Sequence, residues 1–548
     1  MSTEQPRRIV IVGAGHGGGT AASLLRQHGF AGEVILIGAE PVGPYHRPPL
    51  SKSLMKGELE QPLLPQAFYR EQGIELRVGV GVASIDRQAH ELRLHSGESL
   101  AYDVLILATG AKARRLPVPG IELEKVYELR TIANARVLHD VLTPNRHLAI
   151  VGGGWIGLEV AASAVAAGVQ VTVIEREERL LARVASPELS RHLTDYHLRQ
   201  GTKLLTSAQV AGIEGNARGA VHAVKLEDGQ TIACDRVLIG VGAVADDELA
   251  KAAGLRCEDG VVVDSRGRTD DSSVFAIGDM TRRPVALHDG LLRVESIPSA
   301  LEQARQAVAY ILGQPEPAPE VPWFWSDQFD LKLQIAGLLR GSDGSVVRAD
   351  PDANKLAIFH LRGGRLIAVE GVNAAAEFMI GKALIRDQVA LDLERLADPQ
   401  TPLDQVARGD VARGDAPTPS ADVIASAEPA ATSEPPGPGG KAGEPLVSFI
   451  QPDGELASVN IPVGRSLMEG SVRNNLPGII AECGGMCSCG TCHVYIDPEW
   501  EGLLPEPEYE EADLLEFLEG AEPNSRLSCQ LVMTDELDGM VVRVATFS

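Results

Sequence analysis

Apolar residues along this chain come in short dense runs, each broken by glycines and followed by small residues at helical spacing. "RRIVIVGAGHGGGTAASLL" (7–25) is a β-branched strand, a glycine turn and a small-residue helix, and "LAIVGGGWIGLEVAASAVAAG" (148–168) repeats the design. Each continues into a second apolar strand, "EVILIG" (33–38) and "QVTVI" (170–174). This alternation predicts a parallel, doubly wound α/β sheet, built twice. Two further strands end in short signatures, "YDVLILATGA" (102–111) and "SSVFAIGDM" (272–280). Residues 321–386 offer "VPWFWSDQFDLKLQIAGLL", "KLAIFHLRGGRLIAVEGVN" and an Ala-rich stretch, a β-rich pattern closing in a helix that predicts a smaller α+β domain. From Asp398 the periodicity fails, and Pro, Ala, Ser and Gly without aromatics predict a flexible linker over 398–443. Order returns at "LVSFIQPDGELASVNIPVG", so the last segment, 444–548, reads as a separate module.

A chain of 548 residues is too long for one core, and its 44% hydrophobic and 23% charged content is ordinary for a globular protein. No secretory signal fits before the first strand, and no uncharged apolar run reaches the ~18–20 residues of a membrane span. A cytoplasmic protein is expected. Of the net charge of −25, the segment from Glu444 onward carries −15, with 19 acidic residues against 4 arginines and no lysine. Such a tail repels nucleic acid and suits a partner with a basic surface.

In the first glycine turn Gly13-x-Gly15-x-x-Gly18 opens a helix, and Glu40 follows 22 residues after Gly18. The turn must bend sharply, the backbone must approach a pyrophosphate, and helix and strand must touch, so each step excludes a β-carbon. The carboxylate then accepts the hydroxyls of an adenosine ribose. Gly152-x-Gly154-x-x-Gly157, with Glu175 18 residues on, is the second copy. Two complete copies imply two dinucleotides.

"AECGGMCSCGTCHVYI" (481–496) crowds four of the chain's seven cysteines, and Cys529 lies beyond it. Thiolates at this density suggest zinc or iron–sulfur. Zinc knuckles usually carry two C-x-x-C pairs, and here there is one, Cys489–Cys492. The plant-type C-x4-C-x2-C spacing, started at Cys487, needs a cysteine where Tyr495 stands. Residues 1–233 hold no cysteine, which leaves no redox pair beside the first fingerprint, so the electrons must leave by another route.

With "PYHRPPLSKSL" (44–54), "LRTIANA" (129–135), "RVESIPSALEQA" (293–304) and "PWFWSDQ" (322–328), residues 7–390 resemble the ferredoxin reductases of oxygenase systems, the putidaredoxin-reductase type. The resemblance implies FAD on the first fold (1–111 and 245–321), NADH on the second (112–244), and an α+β domain over 322–397. It carries FAD contacts onto Gly13, Gly15, Gly17, Gly18 and Glu40, and onto Arg47, Lys52, Val82, Ala108 and Thr109. Arg130, Asp279 and Ile297 complete the flavin side. It carries NADH contacts onto Gly152, Gly154, Ile156, Gly157, Glu159, Glu175, Arg183 and Gly242. Lys52, Glu159 and Trp325 are implied as the catalytic residues, with the Lys52 charge near the flavin ring.

The spacing Cys483-x5-Cys489-x2-Cys492-x36-Cys529, with "NSRLSCQL" (524–531), resembles the adrenodoxin–putidaredoxin type of 2Fe–2S ferredoxin, a β-grasp α+β fold. The resemblance makes these four cysteines the ligands and leaves Cys487 over. "PEPEYEEADLLEFLEG" (505–520) reads as an amphipathic helix with Leu514, Phe517 and Leu518 on its apolar face. Asp513, Glu516 and Glu519 line the other face, and the resemblance makes them the acids that dock redox partners. The chain is thus expected to be a reductase fused to its ferredoxin, feeding a terminal oxygenase. Cytochrome P-450 is the first expectation and a Rieske-type ring-hydroxylating oxygenase the second. A flavoprotein with a non-redox metal-binding tail is the rival. As a coil the linker spans ~35–40 Å and holds the two modules at roughly millimolar effective concentration for docking within one chain.

Overall fold

A computed structural model describes the chain apart from residues 1–5, 58, 352–353, 407–442, 453, 475, 477, 480, 482, 484, 486, 488, 517, 519 and 546–548, and apart from the side chains of 404, 509, 510, 513 and 516. It divides into two units, Met1–Arg340 and Gly341–Ser548. Most of the linker, Phe517, and the side chains of Asp513, Glu516 and Glu519 therefore lie outside the described residues.

In the first unit the strand Arg8–Val12 is central to a parallel five-stranded sheet ordered Val274–Ala276, Val104–Leu107, Arg8–Val12, Glu33–Gly38, Ile74–Val78. Ile9 pairs with both Val34 and Val104, and Val12 with Ile37 and Leu107. Residues Ile9, Val10 and Ile11 are all fully buried, because the helix His16–Gln27 packs on one face and the antiparallel meander Val82–Asp86, Glu91–Leu94, Ser99–Ala101 on the other, so a polar residue would find no water on either side. The second sheet repeats the plan in the order Lys203–Leu205, Gln170–Ile174, His147–Val151, Arg236–Ile239, Val126–Glu128.

The glycine fingerprints show why no side chain fits. Gly13 has φ +118°, and a β-carbon there would lie 2.1 Å from the carbonyl oxygen of Ala108. Gly152 has φ +112° and would place its β-carbon 2.3 Å from the oxygen of Gly240. In each copy the turn crosses the end of the neighbouring strand at backbone contact. The third glycines, Gly18 and Gly157, press their helices onto the oxygens of Gly13 and Gly152. A hairpin, Trp323–Gln328 and Leu331–Gly337, closes this unit.

The second unit opens with three antiparallel strands, Gly344–Asp350, Lys355–Arg362 and Arg365–Val372, and the helix Ala375–Asp387 packs on the last of them. The linker begins later than Asp398. Leu403 and Val406 are buried, the carbonyl of Val406 accepts from the amide of Asp392 at 2.8 Å, and Arg348 donates to the carbonyls of Leu396, Arg395 and Thr401. Two apolar anchors and one guanidinium hold a Pro- and Asp-rich stretch that composition alone reads as loose.

The C-terminal module is a mixed sheet ordered Leu456–Asn460, Leu446–Ile450, Met540–Val544, His493–Ile496, Ser525–Leu527. The helix Leu467–Arg473 starts at a capping box of Ser466 and Glu469. The acidic helix spans Tyr509–Glu516, shorter than the 505–520 expected, since Pro505 and Pro507 precede it and cannot extend it backward. Leu514 is fully buried and Leu518, beyond the helix, is buried too. Ala375 and Met379, from the helix Ala375–Asp387, pack against the core of this module.

Gly13→Ala should cost about 3 kcal/mol, the upper part of the range for forcing volume into a filled core, because the obstacle is backbone that cannot rotate away. A thermal melt of the variant should show the first unit destabilised. Gly97→Ala, at a turn where nothing lies within 4 Å of the added atom, controls for the positive φ alone.

Candidate active site and metal centre

A cleft of about 1890 Å³ runs along the strand ends of both sheets in the first unit. Small-ligand sites usually fill ~300–1,000 Å³, so this cleft has room for two dinucleotides. Of the residues carried over from the resemblance, Gly13, Gly15, Gly17, Glu40, Arg47, Lys52, Val82, Ala108, Thr109, Arg130, Asp279, Ile297 and Trp325 line it. Gly152, Gly154, Ile156, Glu159, Glu175, Arg183 and Gly242 line it as well. Gly18 and Gly157 do not line it, because their work is the helix–strand contact already described.

On the first fold, Glu40 is gripped by Arg47 at 2.9 Å and by the Tyr45 hydroxyl at 2.8 Å. Arg47 also donates to the carbonyl of Arg130 at 2.6 Å, and Arg130 pairs with Asp279 at 3.0 Å. Thr109 donates to the carbonyl of Asp246 at 2.6 Å. His16, at the start of the first helix, is buried, and its imidazole is held well below its ordinary range by burial, with the charges of His46, Arg47 and Arg130 adding.

Deeper in the cleft, Lys52 and Glu159 form an ion pair at 2.8 Å, with side chains only 6% and 3% exposed. Ser51 donates to the second oxygen of Glu159 at 2.5 Å, Ser326 donates to the first at 2.6 Å, and Asp327 stands 3.4 Å from the Lys52 ammonium. The same ammonium lies 5.8 Å from the ring centre of Trp325. Trp325 itself packs at a tilt against Trp323, with ring centres 5.4 Å apart, and both are buried.

On the second fold, Glu175 folds back over the glycine turn and accepts from the amides of Gly153 at 2.6 Å and Glu177 at 2.8 Å. Arg176 pairs with Glu177 at 2.8 Å, and Arg179 donates to the carbonyls of Ala182 at 2.8 Å and Ala185 at 2.9 Å. Both guanidiniums that follow Glu175 are therefore engaged.

In the C-terminal module the sulfurs of Cys483 and Cys489 are 3.3 Å apart. The amides of Cys483 and Thr491 each point at the Cys489 sulfur from 3.4 Å. Cys529 accepts hydrogen bonds first from Cys487 and then from Cys492, which holds its thiol well below the ordinary range, and Gln530 adds a donor at 3.1 Å. Among the described residues no three His, Cys, Asp or Glu side chains converge on one ion-sized point. Cys483 stands with Cys489, and Cys529 stands with both Cys487 and Cys492. The other two cysteines belong to the first unit. Burial pushes Cys234 up to about 12 and Cys257 up to about 11.

Residues 7–308 match the family model for pyridine nucleotide-disulphide oxidoreductases, 323–407 a reductase C-terminal model, and 450–534 a 2Fe-2S iron-sulfur cluster binding domain. A probable ferredoxin reductase of Castellaniella defragrans, CtmF, is 46% identical over 72% of this chain and 97% of its own length. The chain belongs to this ferredoxin reductase family. The benzene 1,2-dioxygenase system ferredoxin–NAD(+) reductase subunit of Pseudomonas putida is 38% identical over 71% of this chain and 95% of that protein. The reductase in the crystal structure of the covalent putidaredoxin reductase–putidaredoxin complex superposes with a TM-score of 0.71 at 36% identity, covering 73% of this chain and 98% of that one. This reductase thus carries its 2Fe–2S domain fused at the C-terminus.

Its cofactors are FAD, a nicotinamide dinucleotide and a 2Fe–2S cluster. The residues present fit them. Gly15 and Gly154 have nothing within 4 Å of an added β-carbon, so both helix starts stand open toward the cleft. The His16 Nε2 and Trp325 Nε1 atoms, buried in residues of the cleft wall, have no hydrogen-bond partner among the described residues. Five thiols in one neighbourhood suit a 2Fe–2S cluster, which takes four. Sequence reasoning passed over Tyr45, Ser51, Ser326 and Asp327. Each sits inside a quoted motif, so the signal was present, but nothing in the order of residues shows which hydroxyl reaches Glu159.

On the expectation that Glu175 takes the adenosine ribose, and with both nearby arginines engaged, NADPH should be disfavoured by about 100-fold in kcat/KM, about 2.7 kcal/mol. Steady-state ferricyanide reduction with each nucleotide measures this directly.

Proposed function

We propose that this chain takes electrons from NADH, passes them to its own 2Fe–2S domain and delivers them to a terminal oxygenase in the cytoplasm. When bound, FAD accepts two electrons as a hydride and the cluster accepts one at a time. The observation that carries the reading is the gathering of thiols, Cys483 with Cys489 and Cys529 with Cys487 and Cys492, on the same chain as a two-dinucleotide cleft. Cys483, Cys489, Cys492 and Cys529 would hold the cluster, with backbone amides donating to Cys489. Lys52 would hold a positive charge against the flavin ring, Glu159 would fix that ammonium, and Trp325 would wall the site. Glu175 would bind the adenosine ribose of NADH.

Docking within one chain is supported by the contact of Ala375 and Met379 with the core of the C-terminal module. The acidic positions Asp513, Glu516 and Glu519 would meet the external acceptor, for which the adrenodoxin-type cysteine spacing favours cytochrome P-450. A Rieske-type oxygenase is the second reading, favoured by the relative from a benzene 1,2-dioxygenase system. Among the described residues no helix is long and apolar enough to cross a membrane.

Cysteine variants test the assignment. Cys487→Ala should keep full iron, sulfide and the low-temperature EPR signal of the reduced protein. Cys489→Ala should lose the cluster, or hold a labile one, while NADH-to-ferricyanide activity survives. The opposite pattern would assign the ligands wrongly. Docking is tested separately. Charge removal at Asp513 and Glu516 should slow reduction of an external acceptor as salt does, since exposed charges are screened beyond ~8–10 Å, and ferricyanide reduction should not change.

A further inference from the structure

Glu159 is one end of a longer buried chain of hydrogen bonds. Ser326 donates to Glu159 at 2.6 Å, Gln328 Nε2 donates to the Ser326 oxygen at 3.1 Å, and Gln328 Oε1 is 2.9 Å from His197 Nε2. His197 Nδ1 is 3.3 Å from the Thr202 hydroxyl. Ser326, Gln328 and His197 are all completely buried.

The direction of each bond follows from the chemistry of the groups. Burial holds the His197 imidazole below its ordinary range, so it is neutral and carries one N–H. An amide oxygen can only accept, so that N–H sits on Nε2 and points at Gln328. The Gln328 amide is thereby oriented with its NH2 toward Ser326, which accepts there and spends its own O–H on Glu159. Every donor points the same way, from His197 toward the carboxylate.

The backbone around this chain is built to hold it. Phe329, at the tip of the hairpin, has φ +57°, an unfavourable conformation for a bulky residue. Its ring packs 5.1 Å from His197 and 6.0 Å from Tyr196, and Tyr196 donates to Asp330. The tip is thus pinned to the helix Pro187–Arg199 of the second nucleotide fold. The strand leading to it carries Trp325, Ser326 and Asp327.

We infer that Ser326, Gln328 and His197 form a positioning relay, which holds the Glu159 carboxylate at the place where it fixes Lys52 and ties that pair to the helix Pro187–Arg199. This inference rests on the reading that Lys52 and Glu159 face the flavin. The charged groups around the pair are Lys52, Glu159 and Asp327, with neutral His197 behind them and Asp330 at the hairpin tip. Without the Ser326 donor, the carboxylate is less neutralised and draws Lys52 toward itself, which disfavours an electron-rich flavin.

The test uses the full-length holoprotein and four variants: Ser326→Ala, Ser326→Thr, Gln328→Met and Glu159→Gln. The flavin midpoint potential is read by dye-equilibrium titration, and flavin reduction by NADH is read in a stopped flow. Ser326→Ala and Gln328→Met should both shift the potential to more negative values and slow reduction about tenfold, with the apparent NADH affinity unchanged. Ser326→Thr, which keeps the hydroxyl, should restore both. If Gln328→Met does not fold, the Ala and Thr variants at 326 decide alone. A lowered melting temperature in Ser326→Ala with unchanged potential and rate, beside an altered Glu159→Gln, would reduce the chain to packing and overturn the relay. Equal defects in Ser326→Ala and Ser326→Thr would overturn it too. An unchanged potential in Glu159→Gln would overturn the underlying reading of the pair as well.

Discussion

Removing Lys52 and Glu159 from water costs several kcal/mol per ion, and their mutual attraction offsets this only when the remaining lone pairs and protons are also satisfied. That requirement reaches across the whole first unit. Lys52 comes from the first nucleotide fold, Glu159 from the helix Trp155–Ala166 of the second, and Ser326 and Asp327 from the closing hairpin. One carboxylate therefore tests whether three separate pieces of chain are in register. A fold that misplaced any one of them would leave a buried charge without its partners.

The two nucleotide folds were legible in the sequence because their glycines answer to a backbone constraint. A β-carbon at Gly13 or Gly152 collides with a carbonyl oxygen, so the spacing is dictated locally and a reader can recover it. The partners of Glu159 obey no such rule. Ser51 lies 108 residues away, Ser326 lies 167 away, and Gln328 reaches His197 across 131. Distances of that kind are set by tertiary packing, and only the resemblance brought Glu159 itself into view. The start of the linker was misread for a related reason, since Val406 and Leu403 are too few to give a periodic signal yet are both buried.

In the C-terminal module, neither composition nor position sorts the thiols. Five thiols share one neighbourhood, and density alone does not rank them. Cys487 has φ +49° in the cysteine loop and hydrogen-bonds to Cys529, so it is held close to Cys529 without completing either spacing. The acidic segment shows the reverse. Its charge was plain in the sequence, but Pro505 and Pro507 shorten the helix, and it is fixed by the buried leucines together with buried Glu511, which pairs with Arg526 and accepts from the amide of Leu527.

The two cysteines of the first unit bear on how the molecule ages. Burial pushes the Cys234 thiol up to about 12, so it is held protonated at neutral pH, and oxidants and electrophiles react with the thiolate. The half that collects electrons from the nicotinamide is therefore chemically quiet. The thiol drawn below its ordinary range, that of Cys529, lies in the tail. Fusion therefore joins a quiet collector to the more oxidisable sulfur on one polypeptide.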